Sequence, residues 1–274
     1  MPFSRGLVIW FVVLLSCCVG LALSARSMAA TPPTVVFAVN APGTKPYLYF
    51  DEKTGLYQGI VVDFFAAMPS DQQVVVQYLD TSRGRYEQTL LAQKADVFIS
   101  AKDWLRLPQA FLYSDTVAPH ESHLYATSRF YGDAELYTSG GATICTRTNF
   151  VYPTLQPHFA NGDAIRLDST TNSTMTAMLL KHRCKFMVLG KDDAHAELFE
   201  PSYCQHEFHQ SPQAISSVNM VFVVTPERAD LLQTLNTQLQ LFIRSGQRDQ
   251  SIRKHSGVQQ FPKLKGQGCS AAPQ

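Results

Sequence analysis

The sequence predicts an α/β protein made of two successive units, each alternating strands with helices. Three observations carry this: β-branched runs recur with amphipathic segments between them, the alternation restarts after a Ser139-Gly140-Gly141 turn, and the composition is that of a globular chain. Of 274 residues, 45% are apolar and 16% charged, with 15 Gly and 15 Pro. A coiled coil, a collagen and a disordered polymer all need more extreme compositions. The 23 basic and 22 acidic residues leave a net charge of +1, with no basic surplus for nucleic acid or anionic lipid. No nucleic-acid partner is expected.

The chain opens with Arg5 ahead of an apolar run at 7–23 (LVIWFVVLLSCCVGLAL) and small residues at Ser27-Met28-Ala29-Ala30. A charged start, an apolar middle and a small-residue exit predict a secretory signal peptide over 1–29. The rivals are a single membrane anchor, since the run is almost long enough to span, and lipidation at a loose box, Leu15-Ser16-Cys17-Cys18, inside the run. Losing Arg5 and Arg26 takes the charge balance to −1. Export into an oxidising compartment leaves Cys145, Cys184, Cys204 and Cys269, an even set with three possible pairings. Cys184 with Cys204 is preferred, because these two bracket one strand–helix unit. Cys204, His206 and His209 are metal-ligand types, but no second Cys pair or carboxylate completes a site, so no metal is expected.

In the first unit, 34–38 (TVVFA) reads as a strand followed by a turn at Ala41-Pro42-Gly43. Apolar residues at helical spacing predict a helix over 56–68, with Phe64 and Phe65 beside Ile60 and Val61. A strand at 73–78, a helix at 85–93 and a buried strand at 95–100 follow. The second unit has strands at 142–146 and 185–189 and helices at 174–181 and 192–199. A strand at 220–224 and a long amphipathic helix at 229–243, closed by Gly246, come last, with a short helix at 251–255 and a loose tail from Pro262.

Four stretches resemble landmarks of the family-3 extracytoplasmic solute-binding proteins, which deliver polar amino acids to ABC importers. They are Pro46-Tyr47-Leu48-Tyr49-Phe50 with Gly55-Leu56-Tyr57-Gln58-Gly59-Ile60-Val61-Val62-Asp63; Leu90-Leu91-Ala92-Gln93-Lys94-Ala95-Asp96-Val97-Phe98-Ile99-Ser100; Leu112-Tyr113-Ser114-Asp115; and 231–243 with Ser245-Gly246-Gln247 and Ile252-Arg253-Lys254-His255. Their order and spacing, behind a signal peptide, make the match. The resemblance implies a two-lobed periplasmic-binding-protein type II fold, with two mixed sheets, flanking helices and a two-strand hinge. Lobe 1 is expected over 31–120 and 219–262, lobe 2 over 121–218, and a tail over 263–274. It also implies a periplasmic monomer without cofactor or catalytic residue, holding a small solute between the lobes for an ABC permease. The alternatives are a sensor that reports to a membrane kinase or cyclase, and an enzyme resembling cyclohexadienyl dehydratase.

The resemblance places the ligand as follows. Arg106, the only arginine in the loop after the 95–100 strand, takes the position of the family's carboxylate-binding arginine. Trp104 in that loop offers a stacking wall, Ser100 a hydroxyl at the strand end, and Tyr47 an aromatic lid. In lobe 2, Arg147, Thr148 and Asn149 stand where the family has a glycine-hydroxyl loop that receives an anion on free N–H groups. Thr148 replaces the glycine. Gly190 aligns with the family's ammonium-binding aspartate, leaving Asp192 or Asp193 as substitutes.

Overall fold

Alternation along the first strand explains how the first half of the molecule is layered. In β1 (Thr34–Asn40), Val35, Phe37 and Val39 enter one buried cluster and Ala38 the cluster on the opposite face, as a strand covered on both sides requires. The computed structural model describes residues 32–131, 140–256 and 260–269. The expected signal segment 1–29, Ser139 and the tail end 270–274 lie outside the described residues. A single compact unit runs from Pro33 onward.

Along the chain, β1 leads into a small antiparallel sheet of β2 (Gly43–Thr44), β3 (Leu48–Asp51) and β4 (Leu56–Gln58). Helix α1 (Ile60–Ala66) follows, so the expected 56–68 helix is half strand. The break is at Gly59, whose φ of 122° and close approach to the Tyr47 carbonyl admit no side chain: a Cβ would lie 2.5 Å from that oxygen. Then come β5 (Val75–Thr81), α2 (Tyr86–Leu91), β6 (Val97–Ala101) and the long β7 (Leu112–Ala126). The second half contributes β8 (Ala142–Arg147), α3 (Gln156–Asn161), β9 (Ala164–Ser169), α4 (Asn172–Leu180), β10 (Phe186–Gly190) and α5 (Lys191–Leu198). Short β11 (His209–Gln210), long β12 (Ser216–Val224), α6 (Ala229–Arg244) and α7 (Gln247–Ser256) complete the order. Polar residues hide β9 from a hydrophobic-pattern reading: Arg166 and Asp168 interrupt it, while Ile165 is exposed and Leu167 only half-buried.

The main sheet runs β5-β1-β6-β12-β7-β10-β8-β9, with β11 beside β7. Strands β5, β1 and β6 are mutually parallel, as are β10, β8 and β9. Between these triplets lie the long antiparallel pair β7 and β12. Met220–Val224 of β12 pair with β6, while Ser122–Tyr125 of β7 pair with β10. One pair of strands therefore belongs to both halves, and the two sheets are continuous through it. Each half is covered on both faces. Phe222, Phe64, Leu235, Leu239 and Phe242 pack below β1, and Tyr86, Leu90 and Phe98 above it. In the second half, Met187 and Leu189 face one cluster and Phe186 and Val188 the other. Leu231, Leu235, Leu239 and Phe242 form one stripe of α6, the spacing of a single apolar face.

Two expectations are corrected. The disulfides are Cys145–Cys184 and Cys204–Cys269, not Cys184 with Cys204. Cys145 is paired with Met187 in the adjacent parallel strand, which brings Cys184, at the head of that strand, to a Cα distance of 5.7 Å. Bracketing a unit in sequence is not adjacency; strand order decides. The tail is not loose over its described part. Lys263 is fully buried, exchanges two backbone hydrogen bonds with Phe208, and donates Nζ to the carbonyls of Tyr203 (3.0 Å) and His206 (2.8 Å). Replacing Cys145 and Cys184 together by alanine should cost about 2–4 kcal/mol. Urea unfolding under non-reducing conditions measures it, and an unchanged midpoint would contradict the expectation.

Candidate functional site

At the junction of the two halves lies a cavity of about 110 Å³. The carboxyl ends of parallel strands face it, the usual place for a ligand in an α/β sheet. Its walls include Asn40 at the end of β1, Arg83 just after β5, Arg147 at the end of β8 and Gly190 at the end of β10. Tyr47, Trp104, His120, Phe150 and Asp193 add further polar and aromatic groups to the lining.

Arg83 sits in a helical turn, Arg83–Arg85, between β5 and α2. Asn40 Oδ1 accepts its backbone N–H at 2.9 Å, and its Nη2 donates to Ser100 Oγ at 3.0 Å. The guanidinium lies 5.4, 5.8 and 5.3 Å from the ring centres of Tyr86, Trp104 and Phe150, so aromatic faces hold it in place. Arg147 is 8% exposed. Its Nη1 donates to Asn172 Oδ1 at 2.7 Å, its backbone N–H donates to Tyr152 OH at 3.0 Å, and its guanidinium lies 5.1 Å from the Phe150 ring centre. Its Nε is buried without a partner.

A second group lies on β7. His120 shares a hydrogen bond with Tyr47 OH through Nδ1 (2.8 Å) and with Ser122 Oγ through Nε2 (3.2 Å), and Trp104 meets its ring edge-on at 5.2 Å. Burial pulls its pKa down to about 4, so the imidazole is neutral at pH 7 and one nitrogen accepts while the other donates. Burial raises the Tyr47 phenol well above its usual range. Asp193, in the first turn of α5, is also pushed well upward by burial, against the opposing pull of Arg147. Its Oδ1 has no hydrogen-bond partner. Gly190 makes this packing possible: an added Cβ would collide with the His120 ring and lie 2.8 Å from Asp193 Oδ2.

The His120 shift has a checkable sign. Its folded pKa lies below the unfolded value of 6.5, so the unfolded chain binds more protons between about pH 4 and 6.5 and stability falls on acidification through that window. Asp193 and Glu197, both raised, act in the opposite sense. The test is therefore the difference between the native chain and His120→Gln. Relative to the variant, the native protein should lose about 3 kcal/mol between pH 7 and pH 4. Parallel stability curves would contradict a buried neutral His120.

Tyr47, Trp104 and Arg147, expected from the sequence, line this cavity. Ser100 lies behind it, fully buried, and acts through Arg83. Arg106, expected on the wall, is exposed outside the cavity, its backbone N–H and that of Leu107 held by the Glu87 carboxylate at 2.7–3.1 Å. The loop after β6 turns outward there, and the cavity's first-half arginine is Arg83. Thr148 is exposed, its N–H and hydroxyl both donating to the Ser169 carbonyl at 2.9 and 3.1 Å. Asn149 takes the left-handed backbone position of that turn (φ 63°) and lies against Gly84 at the outer rim. Asp192 does not line the cavity; its neighbour Asp193 does. The sequence reading missed Arg83, His120 and Phe150, and offered Asp193 only as the alternative to Asp192. Only Arg83 carried an available signal, as an arginine directly after a parallel strand.

No group of three metal-ligating side chains occurs among the described residues, and Cys204 is taken by its disulfide. No helix among the described residues is long and apolar enough to cross a membrane. No protein-family model matches the chain, and no curated protein does. Solved structures do. A mutant of ArgBP from T. maritima is 19% identical with a TM-score of 0.65, over 81% of this chain and 94% of that one. A putative binding component of an ABC transporter from Wolinella succinogenes, complexed with lysine, is 14% identical with a TM-score of 0.71, over 84% and 99%. An ancestral amino-acid-binding protein described as a precursor of cyclohexadienyl dehydratase is 16% identical with a TM-score of 0.63, over 81% and 95%. The chain has the two-lobed periplasmic-binding-protein fold. Within that class, its overall architecture is shared with a substrate-binding protein of an amino acid ABC transporter.

Proposed function

We propose that this chain is a periplasmic solute-binding protein that captures a small polar solute between its lobes for delivery to an ABC permease, working as a monomer. One observation carries the reading: a small cavity walled from both halves of the sheet, with the buried polar atoms Arg147 Nε and Asp193 Oδ1 left without partners. A buried polar group without a partner costs free energy that a bound solute recovers. Lobe 1 comprises 31–120 with 219–262 and lobe 2 comprises 121–218, so β7 and β12 form the hinge. Each lobe then supplies part of the ligand's contacts, and closure removes the ligand from water. The structural neighbours that bind amino acids support this class of solute.

A second reading, an elimination catalyst on the same scaffold, draws on Asp193, a cavity carboxyl that burial pushes toward its neutral form. The binding reading is preferred because the nearby His120 engages both ring nitrogens, with Tyr47 and Ser122, leaving no free base opposite that acid. Thermal-shift screening of the purified mature chain against amino acids, polyamines and small carboxylates tests capture. A solute at one hundred times its dissociation constant adds about 2.7 kcal/mol. NMR of the mixture separates the two readings: an intact ligand after hours of incubation supports binding, and its conversion supports catalysis. Arg106→Ala should leave the shift unchanged.

A further inference from the structure

The charges facing the cavity do not balance. Other partly buried arginines have acid partners: Arg166 with Asp168 at 2.9 Å, Arg228 with Asp96 at 2.8 Å and Arg248 with Asp249 at 2.8 Å. Among the described residues, neither Arg83 nor Arg147 has a carboxylate within salt-bridge distance, although both line the cavity. Among the described residues, the remaining arginines without an acid partner are exposed to water. Each guanidinium keeps its charge when buried. Both lie against the same Phe150 ring, 5.3 and 5.1 Å from its centre, so two positive charges sit within about 10 Å of each other in a poorly hydrated space.

The neighbouring acids do not offset them. Asp193 and Glu197 are the carboxyls whose charge reaches Arg147, and burial drives both toward the neutral form. Glu87 is the acid nearest in effect to Arg83, and its oxygens are committed to the N–H groups of Arg106 and Leu107. Unpaired buried charges are tolerated where a ligand supplies the counter-charge. Planar guanidinium forks also match carboxylates in geometry.

We infer that the solute is a small dicarboxylate, one carboxylate held by Arg83 from the first lobe and the other by Arg147 from the second. This rests on the solute-capture reading above and deepens it. Phe150, between the two guanidiniums, together with Trp104 covers the ligand's carbon chain, and Asp193, whose Oδ1 has no partner, faces the same space. A ligand with two carboxylates also ties the lobes together, because neither lobe alone satisfies it.

Calorimetric titration of the mature chain tests this with succinate, glutarate and L-glutamate, their monoamides including L-glutamine, and L-arginine and L-lysine. At least one diacid should bind, at least tenfold more tightly than its own monoamide. Arg83→Gln should reduce that ratio to near one, while its unliganded melting temperature reports that it still folds. Should a monoamide or a basic amino acid bind as tightly as the best diacid, the inference fails while solute capture stands. Should no compound in the panel bind, both fail.

Discussion

Arg147→Gln should weaken solute binding by a factor of about 10²–10³, the range measured when one partner of a buried charge pair is truncated, yet leave the empty protein as stable as before or more so. The two effects have a common origin. Arg147 is 8% exposed, its Nε has no partner, and among the described residues no carboxylate lies within salt-bridge distance, so removing the charge removes a desolvation cost. In the complex, the same charge meets its counter-ion. Glutamine keeps a hydrogen-bond donor toward Asn172 and fills most of the space. Calorimetry gives the affinity and a melting curve the stability. A variant that binds normally, or that melts several degrees lower, would contradict this account.

Phe222→Ala should destabilise the protein by about 3–5 kcal/mol, as large-to-small changes at fully buried aromatic sites do. Phe222 is fully buried in β12, with ring centres of Phe37, Phe64 and Phe65 at 6.2, 5.2 and 6.2 Å. These rings come from β1 and α1, while α6 closes the same cluster through Leu235 and Leu239, so no single element can move in to fill the cavity. Urea unfolding followed by fluorescence measures the loss. A loss below about 1 kcal/mol would mean that the site collapses instead.

The strands were legible where apolar residues alternate or run together, as in 34–38 and 220–224, because burial on both faces leaves that pattern. The stripe of α6 was legible for the corresponding reason at helical spacing. What the pattern could not reveal depends on contacts distant in sequence. The Cys145–Cys184 bond follows from β8 lying beside β10, an order that no local signal encodes. Leu56–Gln58 became a strand because Gly59 breaks the helix and the hairpin needs a third member. Of the residues read from the sequence, Tyr47, Trp104 and Arg147 line the cavity, and Arg106, Thr148, Asn149 and Asp192 do not. Arg83 and Arg106 lie on different loops that both follow strands of the first half, and only the path of the chain after β6 turns Arg106 outward. Asp192 and Asp193 are adjacent in a helix, so their side chains point about 100° apart. Which of them faces the solute is decided by how α5 packs, not by the residue type.

The return of residues 260–269 to the second half has a mechanical consequence. Phe261 packs against Tyr125, Lys263 is locked onto Phe208, and Cys269 is bonded to Cys204, although the preceding helix α7 is clasped to α1 through Lys254, His255 and Asp63. The chain is thus held to the first half through Lys254 and His255 and to the second half through Phe261, Lys263 and Cys269. For the solute-capture reading proposed above, such a link limits how far the two halves can separate.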